Sequence, residues 1–277
     1  MPAPSGWLKA RWAAPAHIVS GTTTRHGLVN AGASRPAALA SYNLGLKVGD
    51  DAAAVAENRA SLQAFLQQQL VVEARASTHA AAQQLHMQWL DQIHGNACMP
   101  IDRRHIEGFE RPPQADSMWS DLPGVALAIQ SADCVPVVLT DASGELIGAA
   151  HGGWRGLTND VLAVLIEAMP ISPDKLCAWI GPCIGPGHFE VGEDVWGLLM
   201  DDYASFVLEH PGDTSKRFVD LPHLAEHQLG VSGVTQVALS GVCTYASADM
   251  YSHRQATQRY GQGAQTGRMA TVICRGQ

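Results

Sequence analysis

Short apolar runs alternate with amphipathic stretches along most of the chain. HIVSGTTT (17–24), MQWLDQIHG (87–95), VALAIQ (125–130), LCAWIGP (176–182), TQVALSG (235–241) and RMATVICR (268–275) have strand length and turn-forming neighbours. Residues 131–156, SADCVPVVLTDASGELIGAAHGGWRG, hold two more strands joined by a polar turn. Helical spacing is found at 52–70, where Val55, Leu62 and Leu66 share a face, and again at 157–169. A further helix is predicted to run through about residue 208, and a short one over 220–230. The Ala- and Gln-rich segment 71–84 is predicted as a mobile excursion. Strands and helices alternate with no compositional break and no internal repeat. That order predicts a single α/β domain over 1–277, with helices on both faces of one mixed sheet.

Composition narrows the function classes. With 277 residues, 46% of them hydrophobic, the chain can bury a full core. A net charge of −8 argues against a nucleic-acid partner, which would face a basic surface. An acidic chain that handles an anion must gather its arginines in one place, so individual arginines matter. No apolar run approaches the roughly 20 residues that span a bilayer, so no membrane partner is expected. The N-terminal MPAPSGWLKARW has no apolar core behind a basic start, and no signal peptide is expected. Six cysteines without a CxxC pair predict free thiols in a reducing cytoplasm.

Three residues share an unusual setting. His94, Cys134 and His151 each stand beside a small or turn-forming residue at a predicted strand end, where ligands collect in layered α/β proteins. Two imidazoles and a thiolate form a catalytic zinc set, and the same donors accept copper. Two other readings compete. Each residue alone is an ordinary packing or hydrogen-bonded side chain. Together they also fit nucleophilic catalysis, with Cys134 as thiolate, a histidine as base and Asp133 as orienter. The 40- and 17-residue separations match no short metal motif, so spacing leaves all three open.

HGGWRGL (151–157) is the second feature. Its paired glycines permit close backbone approach, the following helix offers free N–H groups, and Arg155 can grip a phosphate or carboxylate. Arg25, Asn43, His188, Arg254 and Arg268 are weaker polar candidates in loops.

These motifs occur in a familiar order. QIHG, SADCVPVVLTD, AAHGGWRGL, WIGPCIGPGHFEVG, the CT at 243–244 and TGRMA resemble the YfiH-like family, also called the laccase-domain or multicopper polyphenol oxidoreductase family. TTTRHG, YNLGLKVGDD and ENR are similar to that family's N-terminal region, so the resemblance spans essentially the whole chain. Three departures stand out: Gly152 replaces an alanine of the motif, the 251–270 tail differs, and 71–84 looks inserted.

The resemblance implies an α/β/α sandwich related to Cys-His toxin deamidases, with a metal held by His94, Cys134 and His151. It implies phosphorolysis of adenosine, inosine, guanosine and methylthioadenosine, with adenosine deamination beside it. The partners are then a purine nucleoside and phosphate, and the protein a monomer or homodimer. On this reading Arg155, Arg25, Asn43 and Arg268 bind substrate, and Asp133 orients a metal ligand. Zinc is the expected metal, with copper possible in an oxidase reading of the laccase label. A Cys134 amidase is the further alternative.

Overall fold

The computed structural model describes residues 6–28, 42–76, 85–108 and 111–276. The chain opens with β1 (Trp7–Lys9), β2 (Ile18–Thr23), the long helix α1 (Ala52–Ala76), β3 (His86–Trp89), β4 (Cys98–Pro100) and α2 (Arg103–Gly108). Four strands follow: β5 (Ser117–Ser120), β6 (Val125–Ser131), β7 (Val135–Asp141) and β8 (Ile147–Gly152). Next come α3 (Trp154–Thr158), α4 (Val161–Ala168), β9 (Leu176–Ile180), β10 (Glu190–Val191) and α5 (Glu193–Trp196). The chain closes with β11 (Val207–Glu209), β12 (Arg217–Val219), α6 (Leu221–Val231), β13 (Gln236–Leu239), α7 (His253–Tyr260) and β14 (Met269–Arg275).

The strands form two large mixed sheets and a small one, where the sequence predicted a single sheet. The first large sheet runs β1-β2-β14-β6-β3, the second β13-β9-β7-β8-β5-β4, and β10-β12-β11 stand apart. The two large sheets face each other. Ile18, Leu127, Ile129 and Ile273 of the first sheet meet Val138, Ile147, Ala149 and Trp179 of the second in one buried cluster. Strand alternation then sends Ala126, Ala128, Val272 and Cys274 to the opposite face, against Leu62, Leu66 and Leu70 of α1. On the second sheet, Val135, Val137 and Leu139 point outward onto Leu162, Leu165 and Ile166 of α4 and Leu224 and Leu229 of α6. The layers are therefore helix, sheet, sheet, helix. A strand buried on both faces reads as a continuous apolar run whether a helix or another sheet covers it, so VALAIQ and VPVVL gave no sign of the second sheet.

Several elements differ from their sequence expectation for local reasons. The helix expected over 157–169 starts earlier, at Trp154, and breaks at Asn159–Asp160, where Asp160 is left-handed at φ 59°. The Thr158 hydroxyl and the Asn159 amide both donate back to the Arg155 carbonyl, at 3.1 and 2.8 Å, and so end the first turns. The helix expected through residue 208 is α5, two 3-10 turns and β11. Gly197 and the Asp201–Asp202 pair, acids where a helix C-terminus disfavours them, stop it from propagating. In the segment 71–84, helix α1 continues through Ala76, and residues 77–84 lie outside the described residues.

Candidate metal centre and its cavity

The chain passes from one large sheet to the other between β6 and β7, through Ala132, Asp133 and Cys134. Asp133 is left-handed at φ 97°, which turns the chain sharply and presents Cys134 at the crossing. His151 lies on β8 opposite Pro136 of β7, one residue-pair away from the Cys134 end of that strand. His94 follows β3 in a loop and is also left-handed, at φ 60°. The three ligand atoms lie within 4.8 Å of one another, and the two imidazoles meet edge to face with centroids 4.8 Å apart. The trio chosen from sequence is one cluster, and it is capable of holding a metal ion.

Two further residues shape it. Asp116, fully buried just ahead of β5, accepts a hydrogen bond from His151 Nδ1 at 2.9 Å. Its Oδ1 also accepts from the His94 amide at 3.0 Å, and its Oδ2 from the amides of Gly95 at 2.7 Å and Ile93 at 3.2 Å. One carboxylate thus fixes the His94 loop and the His151 ring, leaving His151 Nε2 as the ring nitrogen free for a metal. Gly153 is the other. A Cβ there would stand 3.1 Å from His94 Cδ2 and 3.3 Å from Cys134 Sγ, so the missing side chain is the space the trio uses.

Charge follows from this packing. Burial alone would raise the Cys134 thiol, but His151 and His94 outweigh it and bring it down to about 6. Burial would lower His151, but the Cys134 and Asp116 charges outweigh that and raise it to about 9. Burial also opposes ionisation of Asp116, yet His151 and the loop amides hold it below the usual carboxylate range. The thiolate a metal requires is thus favoured before any metal arrives.

The trio opens into a cavity of about 1060 Å³. Lys47, Arg59, Arg111, Arg155, Arg254 and Arg268 line it, against the carboxylates of Asp91 and Asp133. Asp91 pairs with Lys47. Asp133 is occupied by the Thr244 hydroxyl at 2.6 Å and the Arg254 amide at 2.7 Å. None of the five guanidiniums has a carboxylate partner among the described residues. Five of the chain's fourteen arginines gather at this one place.

The other sequence candidates separate clearly. Arg155 is exposed on the cavity wall, its guanidinium 4.2 Å above the Trp154 ring. The helix behind it, α3, is only five residues long. Arg268 and Arg254 line the cavity, whereas Arg25 lies outside its lining, 5.3 Å over Tyr251. Asn43 is fully buried and spent on structure. Its amide donates to Gly45 O and Asp50 Oδ2, and its oxygen accepts from the Gly45 and Arg268 amides. His188 stacks on Tyr245 and is outside the lining. Asp133 bonds to neither histidine; the orienting role expected of it falls to Asp116, because its own carboxylate faces Thr244 and α7. Asp116 and Arg59 were missed. Each was in view, in ADSMW and ENR, but nothing local marks a residue whose partners lie far along the chain.

With this fold and cluster, the chain belongs to the multi-copper polyphenol oxidoreductase laccase family, whose model matches residues 19–276. Among similar proteins is purine nucleoside phosphorylase PA4543 of Pseudomonas aeruginosa, 38% identical over 275 residues, covering 97% of this chain and 98% of that protein. Purine nucleoside phosphorylase YfiH of Escherichia coli is 32% identical over 265 residues, covering 95% and 96%. The crystal structure of Neisseria meningitidis protein NMB0706 superposes with a TM-score of 0.80 at 34% identity, over 98% of this chain and 100% of that one. YlmD from Geobacillus stearothermophilus gives a TM-score of 0.79 at 29% identity, over 98% and 97%.

Proposed function

We propose that the chain, as one catalytic domain over 1–277, is a metal-dependent purine nucleoside phosphorylase with accompanying adenosine deaminase activity. Its substrates are adenosine, inosine, guanosine and methylthioadenosine. The observation that carries this reading is one cavity holding both the His94–Cys134–His151 cluster and five guanidiniums without a carboxylate partner among the described residues. The relatives named purine nucleoside phosphorylase, matched over nearly their full length, support it.

His94, Cys134 and His151 would hold the metal, and two imidazoles with one thiolate suit zinc, with copper as the competitor. When bound, such an ion supplies Lewis acidity that polarises a substrate oxygen or activates water. The chain's own residues do the rest. Asp116 keeps the His151 proton on Nδ1, the arginines hold the anion, and Trp154 and Phe189 give the purine apolar faces. A phosphate oxygen attacks C1′ of the ribose, the bond to the purine nitrogen breaks, and the base departs with the bonding pair. We assign the enzyme to the cytoplasm, where free thiols such as these persist. A copper oxidase reading has the family's description behind it, but the described residues hold a single three-donor cluster.

A second reading has one observation in its favour. Asp116, His151 and Cys134 form a hydrogen-bonded line of carboxylate, imidazole and thiol, the arrangement of a thiol hydrolase. Product analysis decides between them. Zinc-loaded protein is given inosine or adenosine with and without phosphate. The phosphorylase reading expects free base and ribose 1-phosphate only with phosphate, and neither from Cys134→Ala. Absence of base release under every condition refutes it.

A further inference from the structure

Two of the cavity's arginines are anchored on one short segment. Arg59, on α1, donates through Nε and Nη2 to the Leu44 carbonyl at 3.0 and 2.8 Å. Its guanidinium lies 4.0 Å over the Trp89 ring, and Nη2 reaches Gln130 Oε1 at 3.5 Å. Arg268 is tied to the same segment by its backbone: its amide donates to Asn43 Oδ1 at 2.8 Å and its carbonyl accepts from the Leu44 amide at 3.0 Å. Its side chain runs against Gly45, where a Cβ would come within 2.7 Å of Arg268 Cγ. Nη1 of Arg268 donates to the Thr266 and Gly267 carbonyls.

Both guanidiniums are half-buried and line the cavity. Their only protein partners among the described residues are neutral oxygens and a ring face, and Arg59 Nη1 and Arg268 Nε and Nη2 keep uncommitted donors. Burial without a counter-ion weakens their hold on the proton, bringing Arg59 down to about 10 and lowering Arg268 in part despite Cys134 and Asp133. Cations partly withdrawn from water gain from an anionic partner, and neither guanidinium has one among the described residues. Arg268 also directly precedes Met269, which pairs with Ser131 at the start of the sheet crossing that carries Cys134. Arg268 therefore stands close to the cluster, near enough to feel the Cys134 charge, and Arg59 lines the same cavity.

We propose that Arg59 and Arg268 form a subsite for a tetrahedral phosphate group, the inorganic phosphate that attacks the nucleoside. This rests on the phosphorylase reading and deepens it by moving the phosphate from the exposed Arg155 to two anchored forks. In the reaction, an oxygen of hydrogen phosphate bonds to C1′, the C1′–N bond breaks, and the phosphate proton ends on the departing base.

The test uses Arg59→Met, Arg59→Lys and Arg268→Met in the metal-loaded full chain. Two readouts are taken: binding of inorganic phosphate alone by calorimetry, and separate KM values for phosphate and inosine. Each Met variant is expected to weaken phosphate binding and raise the phosphate KM about 10-fold or more, with the inosine KM within about threefold and partial rescue by Lys. A purely structural role would lower the melting temperature and move both KM values together, which would overturn the subsite. Unchanged phosphate binding in the Met variants would also overturn it. So would loss of binding for a nucleoside 5′-monophosphate alone, since the subsite would then serve a phosphorylated substrate. If the wild type releases no base, phosphate binding still decides: loss in the variants supports the subsite while the phosphorylase reading fails, and no binding by the wild type overturns both.

Discussion

Asp116 holds His151 by two bonds at once: its carboxylate accepts from the ring Nδ1 at 2.9 Å, and its carbonyl accepts from the His151 amide at 2.7 Å. The same carboxylate gathers the amides of Ile93, His94 and Gly95, so one buried side chain ties together two of the three residues that could hold a metal ion. Asp116→Asn keeps the size but loses the charge and half the acceptors. Metal affinity is expected to fall about 10- to 100-fold, read by competition with a colorimetric chelator. Affinity within twofold of wild type would remove Asp116 from the account.

Gly153 allows a cleaner separation of site from fold. Its φ of −66° and ψ of 161° suit any residue, so alanine there meets no backbone strain. The added Cβ meets His94 and Cys134 instead. Gly153→Ala is expected to leave the metal-free protein within about 1 kcal/mol of wild type in denaturant melts. Its metal affinity should drop by at least about 10-fold, a ligand-shell effect. A large stability loss with normal metal binding would show that the glycine serves packing.

Metal removal separates the two chemistries the cluster allows. Dialysis against a strong chelator should abolish base release, and zinc should restore it. A Cys134 hydrolase would keep its activity without metal, since the Cys134–His151–Asp116 line is already assembled. Activity on inosine that survives chelation would favour that reading.

The β7–β8 turn, which joins the strand after Cys134 to the strand bearing His151, carries a pH-dependent contribution. Asp141 is buried; that burial opposes its charge, but the Ser143 hydroxyl and the Leu146 and Ser143 amides overcome it and lower its pKa. A depressed carboxyl stabilises the fold above its unfolded value near 3.9, and the benefit fades as pH falls through the folded value. Asp141→Asn is therefore expected to cost about 1–3 kcal/mol at pH 7, and the cost should shrink as pH falls through the folded value. Urea melts across pH check this; a cost that persists at low pH would assign the effect to shape.

Much of the site was legible because its chemistry is concentrated in a few residue types beside glycines. His94-Gly95, the thiol of SADC and His151-Gly-Gly each pair a metal-capable side chain with a backbone that bends there. The arginine cluster was legible as a requirement of the net charge, and Arg155, Arg254 and Arg268 stood out as polar candidates, but Arg59 and Arg111 did not. Arg25 and Asn43 sat in loops with the right chemistry, but Asn43 is consumed by its own turn and Arg25 by Tyr251. Arg59 was hidden on a helix surface, where its neighbours Leu44 and Trp89 lie 15 and 30 residues away. The second sheet was hidden for a related reason: alternation such as Leu127 inward and Ala128 outward is invisible when both faces are apolar.

On the phosphorylase reading, phosphate and not water attacks the ribose. Zinc-loaded protein is incubated with inosine and unlabelled phosphate in 18O-enriched water, and the sugar product is examined by mass spectrometry. Phosphorolysis yields ribose 1-phosphate with no solvent oxygen at C1′. In the same solvent, adenosine should yield inosine carrying one labelled oxygen on the purine, the mark of deamination. Free ribose bearing solvent oxygen at C1′, formed regardless of phosphate, would contradict the phosphorylase reading and make the enzyme a hydrolase.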